Sequence, residues 1–312
     1  MVVNIQLTGH CNLNCSYCFA DLMKTSKSFT VNRLQRLVGY LEREGVEEVR
    51  LTGGEPTTHE DFVEVLKLFS TSTIDNYMLF SNLTFGRRVL ESILSFDKVK
   101  NLFILGNLNF DINEFGILDK NISELRWNHV GFLLGYNVTP MTGKEEVDRL
   151  ERFVKDKDIR CLRYALAVPH YSLDTHGYTK YLEESKVNYN RFIRRMLDIG
   201  VVLEPDCHTL PYCYLDEDLK KEIGSDTFRW LDNHHCEITM IDGDYRVVGC
   251  YMLSDKFSTS LLNESGGFRS LQEVIEEQEQ FNIQQYEKKA FDQCMECVNG
   301  LRCKKMCSRF RR

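Results

Sequence analysis

The chain has 312 residues, 43% of them hydrophobic and 27% charged, with a formal net charge of -7. That length suffices for one large α/β domain with a smaller appendage, or for two ordinary domains, with a core that needs no covalent staples. Its apolar runs fall short of the roughly 20 residues a membrane span requires, the start MVVNIQLTGHC lacks the regions of a signal peptide, and the acidic balance argues against nucleic acid as a partner, so a cytoplasmic protein is expected.

Short β-rich runs alternate with helix-like stretches, the pattern of a parallel sheet built from βαβ units. Strands are predicted at Val2 to Leu7, Glu48 to Thr52, Asn76 to Ser81, Leu102 to Leu105, Val130 to Tyr136 and Arg160 to Val168. Between the first two, Val31, Leu34, Val38 and Leu41 recur at helical spacing and Gly45 supplies a stop. Thr57 with Glu60 reads as a capping box ahead of Phe62, Val65, Leu66 and Phe69. Residues 107–128 form the least regular unit. A helix is predicted from Asn188 to Ile199, stopped by Gly200, and a short strand from Val201 to Leu203. After Pro205 cysteines become frequent, so a first domain over 1–204 and a second over 205–312 are expected. In the second, the runs Ile238 to Ile241 and Tyr245 to Val248 flank Asp242-Gly243, a hairpin signal. Ser270 with Glu273 opens a charged helix running toward Lys289.

The 12 cysteines of a chain without an export signal point to metal or redox work rather than disulfides. Cys11, Cys15 and Cys18 form a C-x3-C-x2-C run directly after the first strand. Three thiolates on one loop can hold three irons of a [4Fe–4S] cluster and leave the fourth iron open for chemistry, whereas ferredoxin and structural zinc sites close the metal with a fourth ligand. A zinc or redox site is the plainer alternative. The second strand then ends in Leu51-Thr52-Gly53-Gly54-Glu55-Pro56, at the carboxyl edge where parallel sheets bind ligands.

These residues resemble the radical S-adenosylmethionine (SAM) superfamily, whose loop reads C-x3-C-x-aromatic-C, with Tyr17 at the aromatic position, and whose next strand ends in a GGEP motif, matched by Gly53, Gly54, Glu55 and Pro56. The resemblance implies a partial (β/α)6 TIM-like barrel, an α/β fold, followed here by a small cysteine-rich α+β domain. It also implies that SAM chelates the open iron and is reductively cleaved to a 5′-deoxyadenosyl radical that abstracts a substrate hydrogen. Strand-end logic adds Ser81, Asn82 and Asn137 to the SAM pocket, with Asn107 and Thr139 as weaker candidates.

The last cysteines read Cys294-x2-Cys297-x5-Cys303-x3-Cys307, and Cys236 and Cys250 bracket the Asp242-Gly243 hairpin. This resembles the SPASM extension of radical SAM enzymes, or the shorter twitch domain, which carry auxiliary [4Fe–4S] clusters. Two departures stand out: Tyr245 occupies a position where the pattern usually has glycine, and no further cysteine follows Cys307. With Cys213 and Cys207 available upstream, one auxiliary cluster is expected and a second is left open, zinc being the alternative for the final four thiols. Cys161 reads either as a small buried hydrophobe or, with Cys207 and Cys213, as a candidate hydrogen-atom donor, while Tyr164, His170 and Asp206 are placed where they can face substrate.

The resemblance implies action on a ribosomal peptide, by oxidation, cross-linking or epimerisation during natural-product maturation. A radical dehydrogenase or epimerase of a sugar or aminoglycoside-like small molecule is the second reading, and an iron–sulfur electron carrier or redox-sensing scaffold the third. Expected partners are a flavodoxin- or ferredoxin-like one-electron reductant and, because the cysteine loop begins at residue 11, a separate protein that binds a leader peptide.

Overall fold

In the computed structural model, residues 1–110, 115–168, 173–221 and 239–287 are described. In chain order these hold β1 (Val2–Thr8), α1 (Val31–Arg43), β2 (Glu48–Gly53), α2 (Phe62–Ser70), β3 (Asn76–Ser81), α3 (Arg87–Asp97), β4 (Asn101–Leu108) and α4 (Phe115–Trp127). There follow β5 (Gly131–Val138), α5 (Lys144–Asp156), β6 (Cys161–Leu166), α6 (Thr175–Asp198), β7 (Val202–Pro205), β8 (Met240–Ile241), β9 (Arg246–Val248), β10 (Thr259–Ser260) and α7 (Leu271–Glu287). This is the α/β class, with the strand–helix alternation expected of a partial TIM-like barrel.

The chain divides into two compact units, the first comprising Met1–Cys15, Ala20–Leu133 and Ile238–Gln280, the second Ser16–Phe19, Leu134–Glu237 and Phe281–Arg312. In the first unit the strand order is β10-β9-β8-β1-β2-β3-β4. Strands β1 to β4 run parallel, and β8 joins the other edge of β1, also parallel. Strand β1 is buried on both faces, as expected of a strand inside a parallel sheet. Two of its buried side-chain amides donate to backbone: Asn4 Nδ2 to the Thr239 carbonyl at 3.4 Å and Gln6 Nε2 to that of Met23 at 3.1 Å.

Helix α1 forms where the apolar spacing places it. Thr30 caps it by accepting from the Arg33 amide, Leu34, Leu37, Val38 and Leu41 are buried, and Gly45 ends it at a φ of 69° that favours glycine. The expected capping box of α2 is not formed. A short 3-10 turn over Pro56–Thr58 intervenes, α2 begins after Asp61 without a side-chain cap, and Thr57 turns back to Glu55 instead.

The expected hairpin is present but its turn is longer than Asp242-Gly243. Met240 pairs with Val248 and Ile241 with Val247, leaving Asp242 to Tyr245 in the turn. Buried Asp242 organises it: Oδ1 accepts from the Asp244 and Arg246 amides, each at 3.0 Å, and Oδ2 from Arg246 Nε at 2.9 Å. Tyr245, not Gly243, takes the left-handed conformation, with a φ of 60°. Gly243 is required for another reason: a Cβ there would lie 2.1 Å from the Lys27 carbonyl oxygen.

In the second unit β5, β6 and β7 run parallel. Helix α6 starts well before the predicted Asn188, because Asp174 caps it by accepting from the Gly177 amide at 2.8 Å and Tyr178 and Leu182 extend the buried stripe of Tyr189, Phe192, Ile193 and Met196. Among the described residues no helix is long and apolar enough to cross a membrane.

Candidate active site

The cysteine loop leaves β1 at Thr8, and its first residues lie against the end of β2. The Gly54 amide donates to the Thr8 carbonyl at 2.9 Å and the Glu55 amide to that of His10 at 2.8 Å. The two glycines are dictated by this approach. A Cβ on Gly53 would stand 2.5 Å from Thr8 O, and one on Gly54 2.3 Å from His10 O, both backbone atoms that cannot step aside. The glycine pair thus seats the cysteine loop on the second strand.

Glu55 is 2% exposed and faces no cation among its bonded partners. Its Oε1 accepts from the Thr57 amide and hydroxyl, at 3.2 and 2.6 Å, and from Ser81 Oγ at 2.9 Å; its Oε2 accepts from the Asn82 amide at 2.7 Å. Burial holds its carboxyl above the ordinary value, while these four donors pull the other way. Glu55 therefore ties the end of β2 to the end of β3. Ser81, itself buried, spends its hydroxyl on this bond and accepts the Leu83 amide at 3.0 Å.

From Asn82 the network returns to the cysteine loop. Asn82 Nδ2 donates to Asn12 Oδ1 at 2.9 Å, Asn12 Nδ2 to Thr84 Oγ1 at 2.8 Å, and Thr84 Oγ1 to Asn82 Oδ1 at 2.5 Å. The Leu13 amide donates to Cys11 Sγ at 3.4 Å and Asn109 Nδ2 to Cys15 Sγ at 3.2 Å. At the edge of β2, Tyr251 shares a hydrogen bond with Thr52 Oγ1 at 3.0 Å and donates to the Gly53 carbonyl at 3.4 Å. Asn12, Thr84, Asn109 and Tyr251 escaped the sequence reading. Asn109 lies past the predicted end of β4, and Tyr251 is called to the site only by the return of β8 and β9.

The second unit holds Tyr17 and Cys18, both half-buried, and Asn137 near the end of β5. Tyr164 is buried in β6 with its ring 5.9 Å from Tyr189, and desolvation pushes its hydroxyl up to about 12. Cys161 opens β6; burial and then a hydrogen bond to Glu204 push its thiol up to about 11. Asp206, just past β7, is ion-paired with Arg163, and Cys207 and Cys213 are exposed. His208, 1% exposed, is fixed between Tyr178 Oη at 2.7 Å and the Leu166 carbonyl at 2.6 Å, and desolvation depresses it to about 4. Cys250 follows β9 and is half-buried. His170, Cys236, Cys294, Cys297, Cys303 and Cys307 lie outside the described residues.

Comparison with known proteins finds a likeness over the stretch that carries this arrangement. Residues 5–113 match the radical SAM superfamily. The matched stretch contains the cysteine loop, the Gly53–Pro56 turn, Ser81, Asn82 and Asn109. GTP 3′,8-cyclase of Listeria monocytogenes is 26% identical over 193 residues, 58% of each chain. The enzyme of that name from Actinobacillus pleuropneumoniae is 27% identical over 219 residues, 65% of this chain and 62% of its own. The chain thus spans about three fifths of the length of these curated relatives. Among solved structures, anSMEcpe with bound AdoMet and Kp18Cys peptide superposes with a TM-score of 0.67 at 18% identity, over 99% of this chain and 89% of that one. Streptococcus suis SuiB bound to precursor peptide SuiA gives 0.63 at 15% identity, over 97% and 70%. At such identities these show a shared fold.

Likeness to the radical SAM superfamily implies SAM and an N-terminal [4Fe–4S] cluster, and the donor set fits such a cluster. Three thiols share one loop, and N–H groups are aimed at two of the sulfurs, as suits sulfurs that ligate a cluster. Among the described residues no three His, Cys, Asp or Glu side chains gather round the position of a single ion, and a four-iron cluster spreads its thiolates over separate irons.

Proposed function

We propose that the chain is a radical SAM enzyme that modifies a peptide. Cys11, Cys15 and Cys18 would hold the cluster, with Tyr17 beside Cys18, and the Gly53 to Pro56 turn, Ser81, Asn82 and Asn137 would line the SAM pocket. Bound there, cluster and SAM supply a carbon radical that removes a hydrogen atom from an unactivated substrate carbon. The observation that carries the reading is the three-thiol loop seated on Gly53 and Gly54 and tied through Asn12 and Asn82 to buried Glu55. The chain's own residues hold that loop in place, since the Glu55 carboxyl spends its hydrogen bonds on donors of two neighbouring segments, Thr57 and the Ser81–Asn82 strand end, and Asn82 in turn bonds Asn12 of the loop.

Peptide substrate is favoured because structures described as peptide-bound superpose over 97 to 99% of this chain, while the likeness to GTP 3′,8-cyclases is one of sequence over 58 to 65% of it. Oxidation, cross-linking or epimerisation of that peptide would follow, with residues 205–312 as a SPASM- or twitch-like domain whose one or two auxiliary clusters would draw their ligands from Cys213, Cys236, Cys250, Cys294, Cys297, Cys303 and Cys307, with Cys207 as a further candidate. A nucleotide substrate is the second reading, supported by the cyclase relatives. Anaerobically reconstituted protein incubated with SAM, dithionite and either GTP or peptides encoded by neighbouring short reading frames separates the two. Mass change of a peptide is the expected result, and conversion of GTP without any peptide change would overturn it.

A further inference from the structure

The fourth strand contributes a side chain to the cysteine loop that no motif marks. Asn109 lies one residue beyond the end of β4, and its Nδ2 donates to Cys15 Sγ at 3.2 Å across 94 residues of sequence. Both residues belong to the same compact unit. The bond is of a different kind from that at Cys11, where the Leu13 backbone amide two residues on supplies the proton and any residue would do the same. Here an amide side chain is required, and the strand end places it. The contact is within the range for N–H donors to sulfur, and the acceptor belongs to a loop fixed on its other flank by Asn12, Asn82 and Thr84.

A neutral N–H donor beside a thiolate lowers the energy of whichever state carries more negative charge on sulfur. Reducing an iron–sulfur cluster adds one negative charge, part of which resides on its cysteine ligands, so such a donor favours the reduced state, and hydrogen bonds to the sulfurs are among the levers that set cluster potential. We infer that Asn109 is a positioning residue that raises the reduction potential of the cluster held by Cys11, Cys15 and Cys18. The inference rests on the proposed radical SAM reading, because it requires a cluster at that loop. The half-reaction is simple: the external reductant gives one electron to the oxidised cluster, no proton is transferred, and the Asn109 amide keeps both of its hydrogens while its bond to sulfur strengthens.

The test is a redox titration followed by electron paramagnetic resonance, on anaerobically reconstituted full-length protein with and without SAM, so that the SAM-sensitive signal identifies the N-terminal cluster. Asn109→Ala should shift the reduced-to-oxidised ratio at fixed potential about tenfold toward oxidised, a drop of about 59 mV for a one-electron couple. Asn109→Asp, nearly the same size, replaces the donor with a carboxylate and should lower the potential further than alanine does. Asn101→Ala, at the opposite end of β4, serves as the control and should leave it unchanged. An Asn109→Ala potential equal to wild type, or an Asn109→Asp potential at or above wild type, overturns the inference while leaving the radical SAM reading intact. Should Asn109→Ala fail to retain iron, the aspartate variant decides the sign. A wild-type protein that shows no SAM-sensitive signal, or one whose signal survives Cys15→Ala, fails the radical SAM reading itself and removes the inference with it.

Discussion

Replacing Tyr245 with glycine sets two large effects against each other. The residue sits at a φ of 60°, where an L side chain is strained by about 1–2 kcal/mol and glycine is not. Relief of that strain favours the variant, offset in part by the extra freedom glycine gains on unfolding, about 0.5–1 kcal/mol. Against it stands the side chain. Tyr245 is 2% exposed, packs edge-on against Phe29 and Phe268 at centroid distances of 5.8 and 5.4 Å, lies under the Arg33 guanidinium at 4.5 Å, and donates to the Arg33 carbonyl at 2.9 Å. Emptying a buried aromatic site costs about 3–5 kcal/mol, and the hydroxyl's hydrogen bond adds about 1 kcal/mol. Tyr245→Gly should therefore lose about 4 kcal/mol, and Tyr245→Phe, which keeps the ring, about 1 kcal/mol. Urea unfolding at constant m measures both. A glycine variant as stable as wild type would show that backbone strain, not packing on α1, governs this hairpin.

Three further outcomes follow from the buried groups and close backbones of the two units. Burial raises the folded carboxyl of Glu55 above 4.5, so its contribution is fully present below that value and falls as pH rises; the stability deficit of Glu55→Gln should shrink as pH rises above 4.5, and a deficit that widens contradicts the assignment. His208 is depressed from 6.5 to about 4, so the fold loses up to about 3 kcal/mol as pH falls through that window, and His208→Gln should flatten this loss in urea midpoints measured from pH 4 to 7. Gly54→Ala drives a Cβ to 2.3 Å from His10 O, whereas a Cβ on Gly86 meets nothing within 4 Å; iron bound after anaerobic reconstitution should drop in the first variant and hold in Gly86→Ala, and equal iron in both would refute the seating role of Gly54.

Much of the first unit is legible in sequence because its signals are local. Short β-rich runs place β1 to β3 and a period-3.6 run places α1 within a residue or two, and Gly53-Gly54 after a strand announces a close approach, although to the cysteine loop's own backbone. What stays hidden is long-range. Nothing near Thr57 says that it will serve Glu55 rather than cap α2, since a three-residue turn decides it. Asn109 meets Cys15 and Tyr251 meets Thr52 only because distant strands end side by side. The start of α6 was obscured because charged residues dilute its apolar stripe before Asn188, and Tyr245 reads as an ordinary strand residue until the turn forces it left-handed.

The central claim is that the loop of Cys11, Cys15 and Cys18 performs SAM chemistry. Reconstituted protein, reduced with dithionite and given SAM, should release 5′-deoxyadenosine, and the variant with all three cysteines changed to alanine should release none. Formation of no 5′-deoxyadenosine by cluster-loaded wild type, or equal formation by the triple variant, would contradict the account.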